Sequence, residues 1–149
     1  MIKYIFSLTI IFSASLCAAQ IQGHVIRVLD GDTLEILQDK KPVRVRLANI
    51  DAPEKKQPFG RWSATQLKDL VAGKPVTVQY AQTDRYGRIL GRVYTADGTE
   101  ANRWQVCNGA AWVYPDYNND YTLPPLQRDA RALKRGLWAD KNPVMLPTY

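Results

Sequence analysis

The stretch Val43-Arg44-Val45-Arg46-Leu47 alternates apolar and charged side chains without a slip. Successive side chains of a strand point to opposite faces, so this segment has one dry face and one wet, basic face. A helix does not present that pattern. Upstream, "HVIRVLDGDTLEIL" places two apolar-rich runs around Asp30-Gly31-Asp32, a turn signal between strands, and "QDKKP" turns the chain into the alternating run. The first third therefore reads as three strands joined by tight turns. The alternation breaks at Ala48-Asn49-Ile50, where Ile50 falls out of phase with Leu47. A bulge or bend there is expected to re-aim the side chains that follow.

The period then changes. In "GRWSATQLKDLVAGKP", Ala64, Leu67 and Val71 recur at helical spacing, with Gly73 as the expected stop and Pro75 just beyond. "VTVQYAQ" and "RILGRVYT" return to strands around the turn "TDRYG", and Asp97-Gly98 ends that pair. A helix over about 99–108 follows, stopped by Gly109. The last helix, "LPPLQRDARALKRG", has prolines in its first turn, Leu126, Ala130 and Leu133 on one face, and Gly136 as its stop. Leu137 and Trp138 are expected to fold back as an anchor, with residues 141–149 an irregular tail. Three strands, a helix, two strands and two helices is the order of an α+β fold with a mainly β core. It predicts a five-stranded Greek-key barrel of the OB type with about three helices over residues 20–140.

Residues 1–19 stand apart. One basic residue, Lys3, precedes an apolar run and then small residues, the pattern of a secretory signal peptide with Ala19 the last residue removed. A lipid-modified Cys17 is the rival reading, but Leu16 is large where such signals want a small residue. Removal leaves 149 − 19 = 130 residues, enough for one domain with a real core, and takes the formal charge from +6 to +5. Cys107 is then the lone cysteine, so no internal disulfide forms, and a packed thiol is the expectation for it. A basic, exported chain with no remaining anchor points to a polyanion as partner, without choosing among nucleic acid, envelope polymers and lipid head groups.

Against that basic background, "RLANIDAPE" holds a small acidic island, Asp51 and Glu54, just past the alternating strand. Pro53 fixes its own φ and pushes Ala52 towards an extended conformation, so the two acids keep a defined relative geometry. Asp32 closes a neighbouring turn. Carboxylates without histidine or cysteine nearby are hard oxygen ligands, suited to Ca2+ or Mg2+ rather than zinc. Each motif taken singly has a plain structural explanation, since Asp and Gly suit turns. The combination is more specific. Arg46 leads into Asp51 and Arg88 opens a later strand, and cations flanking a metal-binding acid cluster suit attack on a phosphodiester.

"VLDGDTLEI", "RVRLANIDAPE", "TDRYGRILGRVY", "GAAWVYPDY" and "RALKRGLW", in that order and spacing, resemble the staphylococcal nuclease family over roughly Ile21 to Asp140. The resemblance implies a Ca2+-dependent phosphodiesterase that cleaves DNA and RNA with little base preference and leaves 3′-phosphates. It implies metal binding by Asp32 and Asp51, with Ala52 contributing its backbone carbonyl where family members often carry threonine. It implies phosphate binding by Arg46 and Arg88 and a general base in Glu54. Arg85 and Tyr86 flank the Arg88 turn and are candidates for a terminal phosphate and a sugar or base. Tyr114 and Tyr117 fall where family tyrosines line the nucleotide pocket, and stacking on tyrosine tolerates any base. Trp112 and Tyr114 stand open between core and site. Asp30 is at most an indirect supporter of the site, His24 a half-exposed strand residue, and Arg128, Arg131, Lys134 and Arg135 a solvated basic face. No stable protein partner is implied, so a monomer is expected.

Two rivals remain from the sequence. A noncatalytic nucleic-acid-binding barrel would gain nothing from acids that repel phosphate. An exported binder of anionic surface polymers leaves the acid cluster unexplained.

Overall fold

A computed structural model of the protein describes residues 10, 11 and 18–145. Five strands close a barrel in the order β1-β2-β3-β6-β5, namely β1 (Ala19–Asp30), β2 (Thr33–Gln38), β3 (Lys41–Leu47), β6 (Ile89–Thr95) and β5 (Pro75–Thr83). Neighbours run antiparallel except β3 and β6, which pair in parallel, Val45 opposite Ile89 and Leu47 opposite Gly91. That parallel pair requires a crossover, supplied by α1 (Gly60–Val71) and β5. The architecture is the expected OB-type α+β barrel, with three α-helices among the described residues.

The alternation in β3 does what its period requires. Val45 and Leu47 are buried, while Arg44 is exposed and Arg46 lies between. Leu34, Ile36, Val78 and Val93 fill the barrel with no exposure at all, each such burial contributing about 1.5–3 kcal/mol. Ala64, Leu67 and Val71 of α1 close one end of this core, as their spacing predicts. Next to α1, α2 (Ala101–Cys107) buries Ala101 and Val106, and α3 (Leu123–Ala132) buries Leu123 and Ala130. Leu137 and Trp138 do fold back, in a 3-10 turn over Gly136–Ala139, and pack with Trp112 and Ala130 in a second cluster. Gly136 adopts φ +51°, and a Cβ there would meet the Trp62 ring at 2.3 Å, so this turn needs glycine.

Some expectations need correction. Leu133 is 61% exposed, because α3 ends at Ala132 and Lys134 enters the left-handed region. The apolar face stops one turn early. β1 begins at Ala19, and Ala19 to His24 pair with Tyr80 to Pro75 of β5. Cys107 is half-buried rather than packed away, and His24 is exposed. The basic face of α3 is partly engaged. Arg131 lies 4.8 Å over the Trp138 ring, and Arg135 donates to the Cys107 carbonyl at 3.1 Å. Of residues 1–19 only Ile10, Ile11, Ala18 and Ala19 are described, so most of the expected signal segment lies outside the described residues. Among the described residues no helix is long and apolar enough to cross a membrane.

Candidate active site

The break after Leu47 is a tight turn. Asn49 takes φ +70°, which asparagine tolerates better than most residues. Its carbonyl accepts the Tyr114 N–H at 2.9 Å, and its side-chain oxygen accepts the Asn119 N–H at 3.0 Å. From there β4 (Ile50–Asp51) leaves the barrel and pairs with β7 (Trp112–Val113), Ile50 opposite Val113 and Asp51 opposite Trp112. This clip explains the phase change: it turns Ile50 into the core and sets Asp51, which has no exposed surface.

Asp32 reaches the same place from the turn between β1 and β2, 4% exposed. Its Oδ2 accepts the Ala52 N–H at 2.9 Å and its Oδ1 accepts the Thr33 hydroxyl at 2.9 Å. Arg46 joins the two acids: Nη2 lies 3.3 Å from Asp32 Oδ2 and 3.2 Å from Asp51 Oδ1. Its Nη1 donates to the carbonyls of Leu47 and Ile50, both at 2.8 Å. Two buried carboxylates share one guanidinium, leaving a net negative charge in a dry pocket. Such a donor set fits a hard cation. Among the described residues no third acid, histidine or cysteine joins them. A bound Ca2+ would therefore complete its shell from Asp32, Asp51, backbone carbonyls such as that of Ala52, water and substrate.

Arg88 is held differently. Asp84 Oδ2 accepts its Nε–H at 2.7 Å, and Asp84 Oδ1 accepts the N–H groups of Tyr86 and Arg88. Burial alone would raise the Asp84 pKa, but these hydrogen bonds outweigh it and hold the carboxyl below its usual range. The arginine is thus aimed through Nε, while its Nη groups make no hydrogen bond to the described residues. Arg46 and Arg88 line one cleft of about 490 Å3 with Arg92, Tyr114 and Tyr117. The two tyrosine rings lie 5.0 Å apart, and Tyr117 is 76% exposed. Burial, then the Asp51 charge, raise the Tyr114 pKa. Tyr114 lines the cleft, and Trp112 is buried in the second cluster.

Asp32, Asp51 and Ala52 lie behind Arg46 and are not part of that cleft's lining, nor are Glu54, Arg85, Tyr86 and Asp30. Glu54 is exposed in the loop after Pro53, its backbone N–H donating to the Gln57 side-chain oxygen at 2.8 Å. Arg85 and Arg88 both lie over the Tyr86 ring, at 4.9 and 5.5 Å, on the turn at the rim. Asp30 is half-buried, and burial, then the Asp32 charge, raise its pKa.

Two supporting residues escaped the sequence reading. Asn102 of α2 donates to the Ala48 carbonyl at 2.9 Å and the Gly91 carbonyl at 3.1 Å, tying the Asn49 turn to β6. Gln105, fully buried, donates to the Gly31 carbonyl at 2.7 Å and the Ser63 carbonyl at 3.1 Å, bracing the turn that carries Asp32. Gly31 has no room for a side chain there, since a Cβ would meet Ser63 Oγ at 1.8 Å. The available signal was two amides three apart on the buried side of a short helix, which must find backbone partners. Gln105→Leu is expected to cost about 1–2 kcal/mol and to weaken cation binding severalfold. Urea unfolding and calcium titration read the two effects. Unchanged cation affinity would limit Gln105 to packing.

A buried acid pair bridged by one arginine, with a second arginine fork open to the same cleft, thus sits on an OB-type barrel. The family profile described as staphylococcal nuclease homologue matches residues 44–140, and the chain belongs to that family. It is 59% identical over 142 residues to an uncharacterized endonuclease of Escherichia coli, covering 95% of this chain and 93% of that one. It is similar to a micrococcal nuclease of Shigella flexneri, 40% identical over 83% of this chain and 77% of the relative. A further uncharacterized endonuclease, of Haemophilus influenzae, is 42% identical over 93% of this chain and 79% of its own length.

Proposed function

We propose that the protein is an exported, Ca2+-dependent nuclease that hydrolyses DNA and RNA with little sequence preference and leaves 3′-phosphates. Family membership and the endonuclease and nuclease names of its relatives support phosphodiester hydrolysis as the reaction class. The observation that carries the finer reading is the sharing of Arg46 by Asp32 and Asp51 beside the open Arg88 fork.

In this reading Asp32, Asp51 and the Ala52 carbonyl hold the cation, which supplies positive charge against the phosphate being attacked. Glu54 takes the proton of the attacking water. Arg88 donates its two Nη groups to phosphate oxygens, a fork that lysine lacks. Arg46 contributes charge from the floor of the cleft, and gains donors for phosphate when its Nη2 leaves the carboxylates. Tyr114 and Tyr117 offer ring faces to a base, with Arg85 and Tyr86 at the rim.

The rival is a noncatalytic nucleic-acid-binding barrel, which leaves the buried pair Asp32 and Asp51 without a purpose, since acids repel phosphate. Plasmid cleavage separates the readings. Ca2+ is expected to support cleavage, with excess EDTA abolishing it and Mg2+ a poor substitute because of its stricter octahedral demand. Full activity in EDTA would sink the site assignment, and binding without cleavage in Ca2+ would leave the rival.

Export rests on the three-part pattern of residues 1–19. Mass spectrometry of the protein from its native compartment is expected to find an N-terminus at Gln20. A diacylglyceryl mass on Cys17 would replace free export by lipid anchoring.

A further inference from the structure

We propose that the groove between β1 and α1 carries the sugar-phosphate backbone of a single nucleic-acid strand beyond the scissile phosphate; this rests on the reading above that the substrate is a nucleic acid. The groove encloses about 680 Å3 between Val25–Asp30 of β1 on one side and Lys55, Lys68 and Gly73 on the other. None of its lining residues belongs to the cleft of Arg46 and Arg88.

Charge gives the groove its ligand. Arg27, Lys55 and Lys68 line it against one carboxylate, Asp30. Lys55 and Lys68 are exposed, and the Arg27 side chain is 59% exposed. Arg27 shares Glu35 with Arg44, at 2.6 and 2.8 Å, so that trio keeps a net positive charge at the groove wall. A phosphate chain is the complement of such a surface.

Position ties the groove to the site. Asp30 stands two residues before Asp32, accepts the backbone N–H of Lys55, and feels the Glu54 charge. The groove therefore opens where the acidic loop ends. A substrate with one phosphodiester needs only the cleft, whereas a polymer must leave the acid pair on its other side.

The sheet edge shapes the groove. β5 pairs with β1 only as far as His24, and the last links are Val25 N–H to the Lys74 carbonyl and Gly73 N–H to the Val25 carbonyl. Past Val25 this edge of β1 has no strand beside it, so the groove lies against an open sheet edge. Basic side chains that reach phosphates position a strand without reading its bases.

The test compares the double variant Lys55→Gln/Lys68→Gln with the wild type, using Lys141→Gln in the C-terminal tail as the control for general charge. Binding of labelled oligothymidylate in EDTA is followed across salt, because log affinity for a single strand falls by about 0.7 per phosphate neutralised for each unit of log salt. The double variant is expected to bind about tenfold more weakly at low salt and to flatten the slope by about 1.4. Lys141→Gln is expected to match the wild type. In Ca2+, cleavage of the oligomer should fall while cleavage of a thymidine dinucleotide holds. An unchanged slope, an equal loss in Lys141→Gln, or equal losses on oligomer and dinucleotide would each overturn the groove. A wild type that binds with the groove-dependent slope yet cleaves neither substrate would overturn the nuclease reading and leave the groove standing.

Discussion

Glu54→Gln will lower kcat by about 10²- to 10⁴-fold while leaving KM nearly unmoved. Glutamine keeps the shape of the side chain and much of its hydrogen bonding but cannot accept a proton. The loop makes the test clean. The Glu54 main chain is fixed by Gln57, whose side-chain oxygen accepts the Glu54 N–H and whose own N–H donates to the Glu54 carbonyl, both at 2.8 Å. Only the side-chain chemistry changes. Steady-state kinetics on a short single-stranded substrate at fixed salt give the answer, since salt alone shifts binding to a polyanion. A near-normal kcat would remove Glu54 from the chemistry and move the search for a base elsewhere in the cleft.

Arg46→Met in EDTA will unfold more easily by about 3–5 kcal/mol, the largest stability loss expected for a single change at the site. The arginine side chain is 11% exposed, and the Asp32 and Asp51 side chains beneath it are 6% and 0% exposed. Without the guanidinium, two carboxylates stay in the dry pocket with their bridging cation gone. Calcium should then stabilise the variant more than the wild type, because a ligand that binds the folded state raises its stability. Melting curves with EDTA and with calcium decide this. A variant as stable as the wild type in EDTA, or one that gains no extra stability from calcium, would show that Arg46 and the cation do not occupy the same electrostatic niche.

The barrel was readable because its determinants are local and repetitive. Val43, Val45 and Leu47 announce a strand by period, and Ala64, Leu67 and Val71 announce a helix by theirs. The site was readable in its parts and not in its arrangement. Asp32, Arg46 and Asp51 stood out as charges beside turns, yet nothing local says that Arg46 lies between the two acids. That follows from β2 pairing with β3, which sets Thr33 opposite Arg46. The clip of β4 and β7 is two residues long on each side, too short for any period to declare itself. Leu133 misled for the converse reason. Its spacing matched the α3 face, but the left-handed Lys134 ended the helix where the sequence offered no glycine until Gly136.

The bracing of the acid pair reaches far along the chain. Asp51 is set by Trp112, and the Asp32 turn is held by Gln105, whose partner Gly31 lies 74 residues earlier. A polypeptide still emerging from the ribosome therefore owns every acid and arginine of the first half without owning their geometry. The same holds for a chain kept extended. The arrangement of the acid pair therefore waits on segments beyond residue 100, and a chain that lacks them carries the charges without their geometry.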